Sequence, residues 1–162
     1  MKAELNNLLT ECTQQLNEIA EKMSTLDAFD KTRNYLTQYA LIKTCGTVEY
    51  VYRSIVADFF DQSSLTQIQT YLNNTVRSGS MSGTYDNMSG LLSKFDVTWQ
   101  SDFRNAIHAR SDSQKIIASA KSLVNNRHSF AHGKPTTVSF NDIVDYYNDA
   151  LILINVLDSV VK

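Results

Sequence analysis

Helix-breaking residues are scarce in this 162-residue chain, which has a single proline, Pro135, and five glycines. Because proline and glycine are the residues that most often interrupt helices, long stretches of the chain are free to stay helical. No segment shows the strict alternation of apolar and polar residues that predicts a half-buried strand. The sequence therefore predicts an all-α fold, a helical bundle around one hydrophobic core.

Apolar residues recur at spacings of three and four, which is typical of amphipathic helices. Four or five helices would form the core and short accessory helices would cover it. With 43% apolar residues, the chain is long enough to form a single domain over residues 1–162. The predicted helices cover approximately residues 2–24, 31–61, 65–77, one or two segments between 86 and 109, 111–132 and 140–161.

Capping signals suggest where several of these helices begin and end. A serine followed three residues later by Gln or Asp predicts a helix start at three places, Ser64–Gln67, Ser111–Gln114 and Ser139–Asp142. Gly133 predicts a helix end, because glycine accepts the left-handed conformation found after a last helical turn. The Ser- and Gly-rich run 78–84 predicts a loop, either a lid or, more simply, a spacer.

Charge and cysteine content exclude several classes of protein. A net charge of −2 argues against bulk electrostatic coating of nucleic acid, so any contact with nucleic acid must be local. Cys12 and Cys45 form no metal-binding or redox pattern and are expected to be reduced thiols, with no metal and no cofactor. No apolar run resembles a signal peptide or a membrane span, so we expect a cytoplasmic protein without a membrane partner.

Two charged residues fall on helix faces that are otherwise apolar. Arg127 lies four residues after Leu123 and three after Val124, and Glu49 lies four after Cys45. Charged side chains are rarely buried unless they are paired. Glu49 and Arg127 are therefore expected either to face each other as an ion pair or, alternatively, to extend separately to the rim of the bundle.

Near Arg127 the chain concentrates groups suited to chemistry on a phosphate. His128 and His132 are four residues apart and share one helix face, directed away from the middle of the apolar stripe. Histidine exchanges protons near neutral pH, whereas arginine and Lys134 carry positive charge. Asn126 precedes the arginine, and no carboxylate or cysteine lies close enough in sequence to complete a metal site with the two histidines.

The same residues resemble the signature of the HEPN superfamily, an Arg, a polar residue, three variable residues and a His. Arg127-His128-Ser129-Phe130-Ala131-His132 fits that pattern, with His128 where the family commonly has Asn. Within the superfamily the chain is most similar to the RiboL-PSP-HEPN branch, through Asn126-Arg127, Ala131-His132-Gly133 and the early-helix segment Gly46-Thr47-Val48-Glu49. The resemblance extends over essentially the whole chain.

This resemblance implies a metal-independent endoribonuclease that acts through the RNA 2′-hydroxyl, as a toxin or an antiphage-defence effector with a possible antitoxin or defence partner. Arg127, His132 and His128 would be catalytic, with Glu49 and Asn126 supporting them and Lys134 binding phosphate. A homodimer with a composite site is also implied. Helical spacing favours it, because residues five apart on one helix diverge by about 140°, so that Arg127 and His132 point in different directions.

Two other interpretations stay open at this stage. The chain could be a catalytically silent HEPN subunit for dimerisation or RNA binding, or a helical interaction domain whose motif match is accidental. The retained Arg, polar residue and His favour an active enzyme. The sequence does not assign base and acid between His128 and His132.

Overall fold

The computed structural model describes residues 1–61 and 65–162, and every regular element in these two ranges is helical. The prediction of an all-α fold is thus confirmed. Helix α3 continues directly into a π-helical turn, Asn73–Arg77. The helices are α1 (Ala3–Ser24), α2 (Lys31–Phe60), α3 (Thr66–Leu72), α4 (Tyr85–Ser93), α5 (Val97–His108), α6 (Ser113–Ala131) and α7 (Phe140–Val160).

The core lies between four long helices. Helix α2 packs against α1, α6 and α7, and α6 also packs along α7. Helix α5 packs on α7, the π turn and α4 pack on α2, and α3 packs against the π turn. Buried apolar side chains from these elements form one contiguous cluster. Across residues 1–61 and 65–162, we find no helix of the length and apolar character that a membrane span requires.

The apolar periodicity explains why the long helices form where they do. In α1 the buried residues follow spacings of four and three, from Leu5 through Leu9, Cys12, Leu16 and Ile19 to Met23. The predicted capping box at Ser139 is confirmed, because its hydroxyl accepts a hydrogen bond from the amide of Asp142 and the carboxylate of Asp142 accepts one from the amide of Ser139.

The other two capping signals fare differently. The prediction at Ser111 is wrong, because α6 begins two residues later and Ser111 lies in a turn. The Asp112 carboxylate beside it accepts hydrogen bonds of 2.9 and 3.0 Å from Arg110, and the amide of Ser113 donates to the Arg110 carbonyl. The chain therefore completes a turn before the helix starts. Ser64 lies outside the described residues.

Polar contacts between helices fix the position of α6. The buried carboxylate of Asp149 on α7 accepts a hydrogen bond from Ser119 at 2.7 Å and lies 3.3 Å from the Lys115 ammonium group, both on α6. On the other side of α7, the hydroxyl of Tyr147 donates to the Leu9 carbonyl at 3.1 Å. These bonds hold α1, α6 and α7 in register beside α2, so the last turns of α6 have a defined position.

Candidate active site

The last turns of α6 extend beyond the core. Its buried residues end at Leu123, while Val124 and Phe130 are only partly buried. Arg127 is half-buried and His128 is exposed. Ala131, in the last turn, is exposed. The candidate residues thus lie on a helix end that faces solvent.

Gly133 ends α6 in the predicted manner. Among the described residues, Gly133 is the one with a positive φ, at 69°. Its amide donates to the Phe130 carbonyl at 3.0 Å, and the amide of Lys134 donates to the Ser129 carbonyl at 2.9 Å. These two bonds are those of a Schellman motif, and they fix His132 as the residue that caps the helix.

The two histidines of the motif are in contact. The rings of His128 and His132 have centroids 4.3 Å apart and meet edge to face at 62°. Both side chains are exposed, as their helix face predicted. Two imidazole groups therefore lie within about one and a half helical turns of Arg127.

Arg127 and Glu49 face each other, as expected if they form an ion pair. Arg127 Nη2 lies 3.9 Å from Glu49 Oε2, and the Arg127 side chain remains 42% exposed while that of Glu49 is 12% exposed. The second alternative holds in part, since the guanidinium also reaches solvent. The other carboxylate oxygen of Glu49 accepts a hydrogen bond from Cys45 Sγ at 3.5 Å.

The Cys45 thiol can serve as that donor because it keeps its proton. Burial, together with the charge of Glu49, raises the pKa of Cys45 to about 12. Cys45 and Cys12 are both free and buried. Glu49 thus has a neutral thiol on one side and a guanidinium on the other, and Coulombic attraction across 3.9 Å favours the orientation in which Arg127 faces the carboxylate.

A cleft of about 570 Å³ opens between α2, α6 and the loop 78–84. We call it the α2–α6 cleft. Its size is within the range of pockets that bind small ligands. Glu49, Arg127 and His128 line it together, whereas His132 is not among its lining residues and contacts the His128 ring. The lining residues are Glu49, Arg53, Gly79, Ser80, Ser82, Val124, Asn125, Arg127 and His128.

The loop 78–84 forms a fixed wall of this cleft. The Tyr52 hydroxyl on α2 donates to the carbonyls of Met81 and Ser82, at 3.0 and 3.2 Å. Burial raises the pKa of Tyr52, so the hydroxyl keeps its proton and remains a donor. Gly83 is buried against α2, where an added Cβ would lie 2.8 Å from Val48 Cγ1. The loop therefore packs as closely as a glycine allows.

Asn126 and Lys134 are not in the cleft. The Asn126 amide donates to the Ser122 carbonyl one turn earlier, at 2.9 Å, so its side chain is engaged on its own helix. Lys134 is exposed and borders a separate depression of about 390 Å³ near Phe130 and Asn34. The structure thus brings Arg127, His128, His132 and Glu49 together and leaves these two residues apart.

Arg53 is the residue of this cleft that the sequence reasoning missed. It lies four residues after Glu49 and three before the buried Val56, so the test that singled out Glu49 would also have identified it. Within residues 1–61 and 65–162, no group of three His, Cys, Asp or Glu side chains is arranged to hold a metal ion.

Comparison with known proteins gives one match. The sequence model of the family described as RiboL-PSP-HEPN matches residues 3–162, which is nearly the whole chain. No curated protein and no solved structure matches the chain. The matched region contains every residue of the α2–α6 cleft.

Proposed function

Because the chain belongs to the RiboL-PSP-HEPN family, whose membership indicates a role in cleaving or binding RNA, we propose that it is a metal-independent endoribonuclease. The observation that carries this proposal is the grouping at the end of α6. Arg127 and His128 line one cleft, and the His132 ring lies against that of His128. A fixed positive charge and two proton carriers are the groups that RNA transesterification needs.

In the proposed reaction a histidine takes the proton from an RNA 2′-hydroxyl, and the 2′-oxygen attacks the adjacent phosphorus. The bond from phosphorus to the 5′-oxygen breaks, and an acid returns a proton to that oxygen. The products are a 2′,3′-cyclic phosphate and a 5′-hydroxyl, with no net gain or loss of protons. DNA is not a substrate, because it lacks the nucleophile.

Arg127 stabilises the negative charge that grows on the phosphate oxygens in the transition state, and Glu49 keeps its guanidinium in place. His132 acts as the main base or acid, and His128, at the cleft wall, positions the phosphate or carries the second proton. Lys134 contacts a phosphate outside the cleft, where the RNA strand crosses the end of α6. Asn126 supports α6 through its bond to Ser122.

The test is incubation of the purified protein with total RNA in EDTA. We expect fragments ending in 2′,3′-cyclic phosphate, and loss of cleavage in His132→Ala and Arg127→Ala. His108→Ala is the matched control, because this exposed histidine on α5 contacts Tyr85 away from the cleft. RNA that binds but is never cut would support the silent RNA-binding subunit instead. Cleavage that persists in both motif variants would refute the assignment of the site.

We further propose that the active form is a homodimer with a composite site. Support comes from the exposure of both motif histidines and from the position of His132, which does not itself line the cleft that contains Arg127. A second chain would bring its own motif to this open side and exclude water from the reaction.

Mixing two inactive variants tests the composite site. If Arg127 of one chain acts with His132 of the other, equal amounts of Arg127→Ala and His132→Ala should recover about a quarter of wild-type activity, since half of the dimers are mixed and each has one intact site of two. Absence of recovery, with mixed dimers verified by differently tagged chains, would assign both residues to the same chain's site.

The biological role we propose is that of a toxin or an antiphage-defence effector, held in check by an antitoxin or a defence-system partner. Support comes from the family alone. Induction of the wild-type gene in bacteria should arrest growth, whereas His132→Ala should not. Equal growth with both, at equal protein levels, would contradict the role while leaving the chemistry to the assay above.

A further inference from the structure

Arg53 is a buried cation that has no counter-charge in the part of the chain that the structure describes. The residue is 9% exposed, and its Nε has no hydrogen-bond partner among the described residues. No ion pair or hydrogen bond to its side chain occurs among residues 1–61 and 65–162. An arginine that is this buried normally has a carboxylate beside it, because desolvating an unpaired charge is costly. The position of Arg53 therefore indicates an anion that is not part of the chain.

The carboxylate that helical spacing offers to Arg53 is already occupied. Glu49 lies four residues earlier on α2, but one of its oxygens accepts from Cys45 Sγ and the other faces Arg127. The α2–α6 cleft thus contains two guanidiniums and His128 against one carboxylate. Its lining has at least one positive charge in excess, and an anionic ligand would balance that charge.

The wall opposite Arg53 adds hydrogen-bond donors. Ser80 and Ser82 of the loop 78–84 line the cleft with it. Ser82 Oγ accepts a hydrogen bond of 2.7 Å from the side-chain Nδ2 of Asn87, which leaves the hydroxyl hydrogen of Ser82 free to donate to a ligand. The bonds from Tyr52 and the packing of Gly83 hold this wall at a fixed distance from α2. The site is consequently formed before any ligand arrives.

We propose that Arg53 is the anchor of a phosphate-binding subsite in the α2–α6 cleft, and that it takes the RNA phosphate next to the one being cleaved. A guanidinium binds a phosphate through two parallel hydrogen bonds, which suits a phosphodiester. Arg53 is displaced along α2 from the Glu49–Arg127 pair by about 6 Å, one helical turn. That displacement favours a neighbouring phosphate on the same strand over the scissile one. The assignment of the two phosphates rests on the proposed ribonuclease activity.

Substrate length tests the subsite directly. The substrates are dinucleotides with one phosphodiester, alone or with an extra phosphate at the 5′ or the 3′ end. For one of the two extended substrates, Arg53→Gln should raise KM about tenfold, the effect of losing a hydrogen-bonded charge. The plain dinucleotide has nothing to place in the subsite and its KM should not change. Arg53→Lys should recover part of the loss, since lysine keeps the charge but not the paired geometry.

Binding separates this proposal from the activity itself. A short RNA with a 2′-O-methyl group at every position lacks the nucleophile and cannot be cleaved, and its Kd is followed by fluorescence anisotropy at several salt concentrations. Arg53→Gln should reduce the slope of log Kd against log salt by about 0.7, the contribution of one phosphate contact on a single strand. Arg110→Gln is the control, because that arginine is paired with Asp112 away from the cleft.

If the wild-type protein binds with this Arg53-dependent slope but cuts no RNA, the subsite stands and the ribonuclease proposal fails. If the wild-type protein cuts RNA and Arg53→Gln changes neither KM on any extended substrate nor the salt slope, the subsite is refuted and the activity stands. An equal rise in KM on all substrates, the plain dinucleotide included, would also refute it, because Arg53 would then act at the scissile phosphate or on the fold.

Discussion

Arg53 on α2 and Arg77 beside the end of α2 both have most of their surface removed from solvent, but the fold surrounds them differently. Arg77, at the end of the π turn, is 15% exposed and binds Asp58 and Asp61, the latter at 2.7 Å. Lys2 binds the same two carboxylates, at 3.2 and 2.7 Å. We call these four residues the Arg77 network. In it two cations meet two carboxylates, whereas no carboxylate of the described residues pairs with Arg53.

The comparison separates two uses of a buried arginine. In the Arg77 network the charges balance inside the chain, so the arginine connects the π turn and the N-terminus to the end of α2. Among the described residues that line the α2–α6 cleft, the positive charges exceed the single carboxylate of Glu49, which is the basis for proposing an anionic ligand there. We therefore expect the first arrangement to contribute to stability, and we propose that the second contributes to binding and catalysis.

The largest expected difference between the two regions is in catalysis. Arg127→Gln should lower kcat for RNA cleavage about 100- to 1000-fold, the cost of removing one donor to a developing negative charge. Arg77→Gln should leave kcat within about twofold, because the Arg77 network lies outside the cleft. The measurement is the initial rate of RNA cleavage by each variant, at a temperature well below the melting temperatures of both. Similar losses in the two variants would show that the cleft has no special role.

Stability should respond in the opposite order. Arg77→Gln should lower the free energy of unfolding by about 2 kcal/mol, because it leaves two partly buried carboxylates with Lys2 alone. Arg53→Gln should leave that free energy unchanged or raise it by about 1 kcal/mol, since it removes a desolvated charge without a partner. Urea unfolding of both variants beside the wild type measures the difference. A larger loss for Arg53→Gln would mean that Arg53 is a structural residue.

A smaller effect should appear on acidification. Burial alone would raise the pKa of the Asp61 carboxyl, but hydrogen bonds from Lys2 and Arg77 outweigh it and hold that pKa below its ordinary value. A carboxylate with a lowered folded-state pKa stabilises the fold above its unfolded pKa of about 3.9, and this contribution disappears as the pH falls through the folded pKa. The difference in unfolding free energy between wild type and Arg77→Gln should therefore narrow below about pH 4.

Melting temperatures of the wild type, Arg77→Gln and Arg53→Gln between pH 6 and pH 3 check this narrowing. Arg53→Gln serves as the comparison, because no carboxylate within residues 1–61 and 65–162 pairs with Arg53. Its difference from the wild type should therefore not follow the titration of Asp61. A gap between wild type and Arg77→Gln that stays constant down to pH 3 would contradict the assigned role of Asp61.

The helices could be predicted from the sequence because burial follows a regular period. The predicted range 2–24 became Ala3–Ser24, 31–61 became Lys31–Phe60 and 140–161 became Phe140–Val160. Local competition limits such predictions: at Ser111 the capping pattern was present, but the pairing of Arg110 with Asp112 gave a turn instead. Short polar motifs have several local partners, whereas an apolar stripe has only the core to pack against.

Residues of the candidate site could be predicted only where they lie together on one helix or where each is a charged residue on an otherwise apolar helix face. Arg127, His128 and His132 are neighbours on α6, and Glu49 was paired with Arg127 because both are charges on apolar faces. The cleft itself depends on where the loop 78–84 packs, and that is decided by Tyr52 and Gly83 meeting residues far away in sequence. Lys134 was grouped with the site residues because it is near them in sequence. In the structure the chain turns at the end of α6, and Lys134 borders a different depression.

The pinned loop 78–84 limits how this protein could be switched on and off. A hinged lid needs few bonds to the body it covers, yet this segment is bonded through two carbonyls to Tyr52 and packed on Val48 through Gly83. Opening it would break contacts with the core face of α2. We therefore expect an inhibitor of the proposed activity to cover the mouth of the cleft and to leave the shape of the chain unchanged.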